Sequence, residues 1–147
     1  MMATAKCNPA PTFSAREVAR VLLVDDDPTA RIILRTVLQA GGYAVDTAAT
    51  AAEAIGMLDA EEYSLVLSDL SMESPEAGLQ VISHARMMDY RPATALITSW
   101  REQYSAARAA GTLLIEPENV PELLEQVAHM IGERASRRLV HQMRSRN

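Results

Sequence analysis

The sequence contains very little cysteine and no long hydrophobic run. Its one cysteine, Cys7, has no second thiol to pair with, which excludes an internal disulfide and fits a reducing compartment. Residues 1–20 lack the continuous apolar stretch of a secretory signal peptide, and no later run approaches the length that spans a bilayer. We therefore expect a soluble, cytoplasmic protein that does not contact membranes.

Glycine and proline are also scarce. Six glycines and seven prolines among 147 residues exclude a collagen-like or low-complexity chain. The length, together with a hydrophobic content of 48%, suffices for one ordinary core, so a single domain is expected.

Charge is distributed unevenly along the chain. The net charge is −5, but residues 133–147 contain five arginines and one glutamate, so this segment carries +4 and the remainder −9. An acidic body is a poor surface for nucleic acid, and no nucleic-acid partner is expected. The basic segment is either a solvated helix end or a contact for phosphates or an acidic partner.

Short apolar runs alternate with amphipathic segments from residue 20 onward. This alternation predicts an α/β fold with a parallel sheet covered by helices on both faces. Pro28 suits the first turn of the first helix, and Thr50 with Glu53 has the spacing of a capping box at the start of the second. Strands are predicted at residues 20–24, 43–48, 65–67, 93–98 and 113–115, with a helix at 101–110 and a last helix from about 120.

The two ends of the chain are predicted to lie outside this domain. Residues 1–19 have no periodicity and predict a flexible extension, residues 20–134 form the domain, and residues 135–147 form a basic helical tail. If the last helix continues, it exposes Leu139 and Met143 beyond the domain, which suggests a partner or a homodimer. A frayed tail is the alternative.

Acidic and hydroxyl residues follow the predicted strands at their C-terminal ends. Asp25 and Asp26 follow the first strand, Asp69 follows the third, and Thr98 ends the fourth. Ligands of parallel sheets bind at this edge, so these residues are expected to converge. Clustered carboxylates raise one another's pKa unless a cation joins them, and oxygen ligands suit Mg²⁺. A carboxylate beside such an ion can attack phosphorus and form an acyl phosphate.

The motifs at these positions resemble the receiver domain of two-component response regulators, the CheY-like family. They are VLLVDDDP at residues 21–28, LVLSDL at 65–70 and LITS at 96–99. The resemblance implies a flavodoxin-like, doubly wound (βα)5 fold with strand order 2-1-3-4-5. It further implies a response regulator in phosphorelay signalling, rather than an enzyme, whose partner is a sensor histidine kinase or a histidine phosphotransfer protein. Because 147 residues leave no room for a separate output domain, we expect the receiver to stand alone.

The resemblance also assigns roles to individual residues. Asp69 is implied to be the phosphoacceptor, and Thr98 the switch hydroxyl that moves toward the phosphoryl group. Asp26 and Asp69 would supply carboxylates to Mg²⁺, Ser71 a backbone carbonyl, and Asp25 an outer contact through water.

One position departs from the family pattern. The family has a lysine before the proline that follows the fifth strand, whereas Glu116 precedes Pro117 here and the chain's one lysine is Lys6. A degenerate receiver that acts as a phosphorylation-independent interaction module is therefore an alternative. A Mg²⁺-dependent phosphohydrolase is a weaker one, because Ser71 stands where a second acid would act as acid/base two residues after Asp69.

Overall fold

The structure is a computed structural model that describes residues 19–70, 72–74, 76–97 and 120–145, and the backbone of residues 113–115. Strands and helices alternate along the chain, as the sequence predicts. They are β1 (Arg20–Val24), α1 (Pro28–Ala40), β2 (Ala44–Ala48), α2 (Ala51–Ala60), β3 (Leu65–Asp69), α3 (Ala77–Arg86), β4 (Ala93–Ile97), β5 (Leu113–Ile115) and α4 (Val120–Ser145).

The strands form a parallel sheet in which β1 lies between β2 and β3, and β4 lies beyond β3. The predicted α/β class and the order 2-1-3-4 are therefore confirmed. The backbone of Leu113–Ile115 runs parallel to the outer edge of β4. The helix predicted at residues 101–110 lies outside the described residues.

Two apolar cores lie on opposite faces of the sheet, because successive side chains of a strand point in opposite directions. Burying a leucine or valine side chain contributes roughly 1.5–3 kcal/mol, so the two cores account for much of the stability. Helices α2 and α3 cover one face, and α1 and α4 cover the other. The first core includes Leu22, Val24, Leu58, Val66, Val81 and Leu96, and the second includes Val21, Leu23, Leu34, Leu65, Leu67, Leu123 and Val127.

Side-chain caps fix the starts of the first two helices. The Asp27 carboxylate accepts a hydrogen bond from the Thr29 amide at 3.1 Å and so caps α1. The Thr50 hydroxyl accepts from the Glu53 amide at 3.1 Å, which confirms the predicted cap of α2. The Glu53 carboxylate, however, accepts from the amide of Ala49 at 2.8 Å, one residue before the cap. Both caps anchor loops at the C-terminal edge of the sheet.

Helix α4 is the longest element, with 26 residues and a length of about 39 Å. Its first half packs on the sheet through Leu123 and Val127, whereas the residues from Ala135 onward are exposed. The exposed part includes Leu139, Val140 and Met143. Among the described helices, none is both long and apolar enough to cross a membrane.

Candidate metal centre

Three carboxylates converge at the C-terminal edge of the sheet. β1 and β3 are parallel neighbours, and their register places Val24 beside Ser68. The residues that follow, Asp25 and Asp69, therefore lie side by side at the ends of the two strands. One carboxylate oxygen from each of Asp25, Asp26 and Asp69 lies within 4.8 Å of the others. The structure thus brings together three of the residues that the sequence placed at this edge.

Asp25 is the most firmly held of the three. It is only 4% exposed, whereas Asp69 is half-buried and Asp26 is exposed. Its carboxylate accepts a hydrogen bond from the Asp27 amide at 2.9 Å, and its backbone carbonyl accepts one from the Arg31 guanidinium at 2.7 Å. Its own amide donates to the carbonyl of Ala48 at 3.0 Å. Contacts with Ala48 of β2 and Arg31 of α1 therefore fix the backbone of Asp25, and the Asp27 amide fixes its side chain.

The electrostatics of the cluster favour a bound cation. Burial raises the pKa of Asp25, and the negative charges of Asp26 and Asp27 raise it further. Hydrogen bonds from the Asp27 amide and with the Asp69 side chain act in the opposite direction, but the net shift is upward. A positive ion among these carboxylates would offset the cost of keeping Asp25 ionised.

The donor set fits Mg²⁺. All three side chains offer oxygen, which hard divalent cations prefer, and their differing exposure leaves one side of the cluster open to water. Two oxygens on opposite sides of one Mg²⁺ ion are about 4 Å apart, because each Mg–O bond is about 2.0–2.1 Å. The 4.8 Å limit on the oxygen separations is therefore compatible with two direct ligands and a third contact through water.

The backbone around Asp69 is held by contacts that the sequence did not indicate. The Leu70 amide donates to the carbonyl of Ile97 at 3.0 Å, which ties the end of β3 to β4. Gly78, in the first turn of α3, lies so close to the Asp69 carbonyl that a β-carbon at residue 78 would overlap the oxygen. A glycine inside a helical pattern is a weak signal of such a close approach.

Two further positioning residues could not be found from the sequence. The Glu73 carboxylate, in the loop after β3, accepts a hydrogen bond from the Ala51 amide at 3.2 Å and links this loop to the start of α2. Arg31 holds the carbonyl of Asp25. Neither residue belongs to a motif, and both contacts depend on how the loops pack.

Several residues that the sequence assigned to the site lie outside the described part of the chain. They are Ser71, Thr98 and Glu116. Their roles stay predictions.

Comparison with known proteins identifies the family. Residues 21–115 match the model of the response regulator receiver domain. The chain belongs to this family. Receiver domains are signalling modules of two-component systems, and they bind Mg²⁺ at an acidic cluster that corresponds here to Asp25, Asp26 and Asp69.

Individual relatives agree with this assignment. The receiver is 42% identical over 65 residues to the transcriptional regulatory protein GlrR of Escherichia coli, a match that covers 44% of this chain and 14% of GlrR. It is 31% identical over 120 residues to the response regulator FleR of Pseudomonas aeruginosa, covering 78% of this chain and 25% of FleR. Matches to the curated relatives cover from 14% to 65% of their lengths.

A solved structure gives the same fold. The response regulator TrrA of Thermotoga maritima is 31% identical to this receiver and superposes with a TM-score of 0.68. The alignment covers 77% of this chain and 99% of TrrA.

Proposed function

We propose that Asp69 accepts a phosphoryl group from a histidine kinase or a histidine phosphotransfer protein, and that the chain acts in phosphorelay signalling. The observation that carries the proposal is the approach of the Asp25, Asp26 and Asp69 carboxylate oxygens to within 4.8 Å of one another. Asp69 is the acid of the three that ends the central strand β3, between β1 and β4. Its half-buried side chain is accessible to a donor protein.

The proposed chemistry is a transfer between two side chains. A carboxylate oxygen of Asp69 attacks the phosphorus of a phosphohistidine, an O–P bond forms as the N–P bond breaks, and the imidazole leaves. Asp25 and Asp26 hold negative charge beside the nucleophile, so bound Mg²⁺ would offset the repulsion between these carboxylates and the incoming phosphoryl oxygens. The Arg31 contact keeps the Asp25 backbone in place during the transfer.

The family pattern supplies the rest of the proposed site. Asp26, Asp69 and the carbonyl of Ser71 would bind Mg²⁺ directly, Asp25 would contact it through water, and Thr98 would bind the transferred phosphoryl. TrrA is the relative that was solved in complex with Mg²⁺-BeF. The acidic cluster and the family match support the same metal for this chain.

The proposal includes the complete doubly wound (βα)5 fold with strand order 2-1-3-4-5 in a domain of residues 20–134. It also includes a homodimer through the last helices. The exposed apolar residues Leu139, Val140 and Met143 of α4 support this contact, since each exposes about half of its surface to solvent.

A second candidate function is a phosphorylation-independent interaction module. The observation that favours it is the absence of any lysine after Lys6, with Glu116 before Pro117. Without a cation at this position the charge on a phosphorylated Asp69 is less well offset. In this version the same surfaces bind the partner without a covalent signal.

One experiment separates the two candidates. The protein is incubated with Mg²⁺ and acetyl phosphate, and the intact mass is measured. Phosphoryl transfer predicts one adduct that disappears in Asp69→Asn and is retained in Asp27→Asn, a matched control because asparagine also caps helices well. No adduct in the wild-type protein under conditions that label an active receiver would contradict the proposal and favour the interaction module.

A further inference from the structure

A cavity of about 750 Å³ lies at the opposite edge of the sheet from the acidic cluster. It is formed by the connection between α3 and β4 and by the second half of α4. Pro92, at its edge, directly precedes β4, whose first residue Ala93 pairs with Leu65. Leu65 precedes Asp69 by four residues, which is about 13 Å of strand. The cavity is therefore separate from the candidate metal centre.

Positive charge is concentrated around this cavity. The described residues that line it include five arginines and only one acidic residue, Asp89. This excess of positive charge contrasts with the net charge of −5 of the whole chain. The arginines come from two separate parts of the chain, which the fold brings together. They are Arg86, Arg91, Arg134, Arg137 and Arg138.

Hydrogen bonds from Arg134 connect the two segments that line the cavity. The Arg134 guanidinium donates to the carbonyl of Arg91 at 2.9 Å and to the carbonyl of Tyr90 at 2.7 Å. Arg91 has a φ of +44°, the one positive φ of a non-glycine residue in the described part of the chain. Such a conformation is unfavourable for arginine, and here the Arg134 contact holds its carbonyl. The connection between α3 and β4 is thus held against α4 in a backbone conformation that is unfavourable for its own residue Arg91.

The Arg138 guanidinium also donates a hydrogen bond to the carbonyl of Tyr90, at 3.4 Å, and its positive charge acts on Arg134. Burial lowers the pKa of Arg134, and the positive charge of Arg138 lowers it further, against a smaller opposing effect of Glu62. Arg137 and Arg138 are exposed on the same side of α4, since positions three and four residues apart share a helix face with Arg134. A bound anion would relieve this repulsion. Guanidinium groups bind phosphate oxygens in bidentate pairs.

Apolar side chains also line the cavity. Met87, Met88 and Tyr90 line the cavity beside the arginines, and Met87 is 74% exposed. A cavity of this volume is in the range of small-molecule sites, which combine apolar walls with a few polar groups. Inorganic phosphate would contact the arginines alone, whereas a ligand with both phosphates and a flat apolar body would contact the arginines and the apolar side chains.

We propose that this cavity binds an organic phosphate of the nucleoside diphosphate class, with its phosphates on Arg137 and Arg138 and its base against Met87, Met88 and Tyr90. The occupant is a small molecule, not nucleic acid, because a volume of about 750 Å³ suits a small ligand and the chain as a whole is acidic, with a net charge of −5.

The test is isothermal titration calorimetry on the full chain with ADP, in EDTA so that the metal centre does not contribute. We expect saturable binding with a Kd below about 1 mM. Pyrophosphate should bind about fivefold more weakly or worse, since it lacks the apolar body. No saturable binding of ADP, or pyrophosphate binding as tightly as ADP, overturns the proposal.

Matched variants locate the site. The double variant Arg137→Gln/Arg138→Gln should weaken ADP binding about tenfold or more, because it removes two charge-assisted contacts. Arg144→Gln, an exposed arginine on the same helix outside the cavity, should change the Kd less than about twofold. An equal loss in Arg144→Gln would mean diffuse attraction only. Tighter binding of a single-stranded oligonucleotide than of ADP would make the surface a nucleic-acid contact instead. Either result refutes the nucleotide site.

Discussion

Gly78 packs against the backbone carbonyl of Asp69, so α3 approaches the end of β3 as closely as two backbones permit. A β-carbon at residue 78 would also lie 3.3 Å from the Asp69 carbonyl carbon and 3.4 Å from the Leu70 α-carbon. The backbone position of Asp69, the proposed phosphoacceptor, thus depends on the absence of a side chain at Gly78, nine residues further along the chain.

The first prediction concerns this contact. Gly78→Ala should lower the free energy of unfolding by about 1–3 kcal/mol, because the helix or the strand end must shift. Gly56→Ala is the control, since the space around an exposed β-carbon on α2 is open, and it should raise stability by roughly 0.5–1 kcal/mol. Urea unfolding of the two variants measures both effects. Equal stabilities would refute the close packing.

The second prediction concerns Asp25 in the metal-free protein. Its pKa is raised from the ordinary value of 3.8, so the folded state binds this proton more readily than the unfolded state. The free energy of unfolding therefore falls as the pH rises from 3.8 through the raised pKa. Asp25→Asn removes the charge and retains an oxygen for the Asp27 amide.

We expect Asp25→Asn to be more stable than wild type by about 1–3 kcal/mol at pH 7 in EDTA, because it removes a buried charge and the repulsion of that charge by neighbouring carboxylates. The gain should shrink as the pH is lowered through the raised pKa of Asp25. Glu125→Gln, an exposed acid on α4, is the control and should have little effect. A variant that is less stable than wild type in EDTA would contradict the raised pKa.

The third prediction concerns the metal itself. Mg²⁺ at ten times its Kd should raise the free energy of unfolding by about 1.4 kcal/mol, because only the folded chain holds the three carboxylates together. Asp26→Asn should abolish this increase, whereas Asp27→Asn should keep it. Thermal melts with and without Mg²⁺ measure the difference. If Asp26→Asn responds to Mg²⁺ as wild type does, the cluster is not the metal site.

The fourth prediction follows from the sequence at residue 116. A glutamate about 5 Å from a phosphorylated Asp69 would cost about 3 kcal/mol at an effective dielectric constant near 20. Glu116→Lys should therefore raise the fraction of protein labelled by acetyl phosphate, and Glu116→Gln should raise it by less. Intact mass spectrometry at low salt measures the labelled fraction. Equal labelling in all three proteins would show that the charge of residue 116 does not act on Asp69.

The fifth prediction concerns the apolar side of the α4 extension. Leu139 and Met143 lie one turn apart, on the helix face opposite the arginines of the cavity. If they form the proposed homodimer contact, Leu139→Ser/Met143→Ser should halve the mass measured by light scattering without unfolding the domain. Met87→Ser, at another exposed apolar residue, is the control. A monomeric wild-type chain would exclude this contact.

Local sequence patterns suffice to predict the alternation of strands and helices and the convergence of the acidic residues. Runs such as Val21–Val24 are apolar throughout because both faces of a parallel strand are buried. This pattern can be recognised in the sequence without a structure. The cap at Thr50 is equally local. Once the strands are parallel, the acids at their C-terminal ends must lie at one edge, so the approach of Asp25 to Asp69 follows from topology.

Contacts between segments far apart in the chain depend on the three-dimensional packing. The Arg134 guanidinium meets the carbonyl of Arg91 from 43 residues away, and Glu73 meets Ala51 from 22 residues away. No local pattern encodes these pairs, because each depends on the angle at which a helix or loop packs against the sheet. The same holds for Gly78, whose closeness to Asp69 is set by the packing of α3. Periodicity fixes which face of an element is buried, whereas packing fixes which atoms of that face touch.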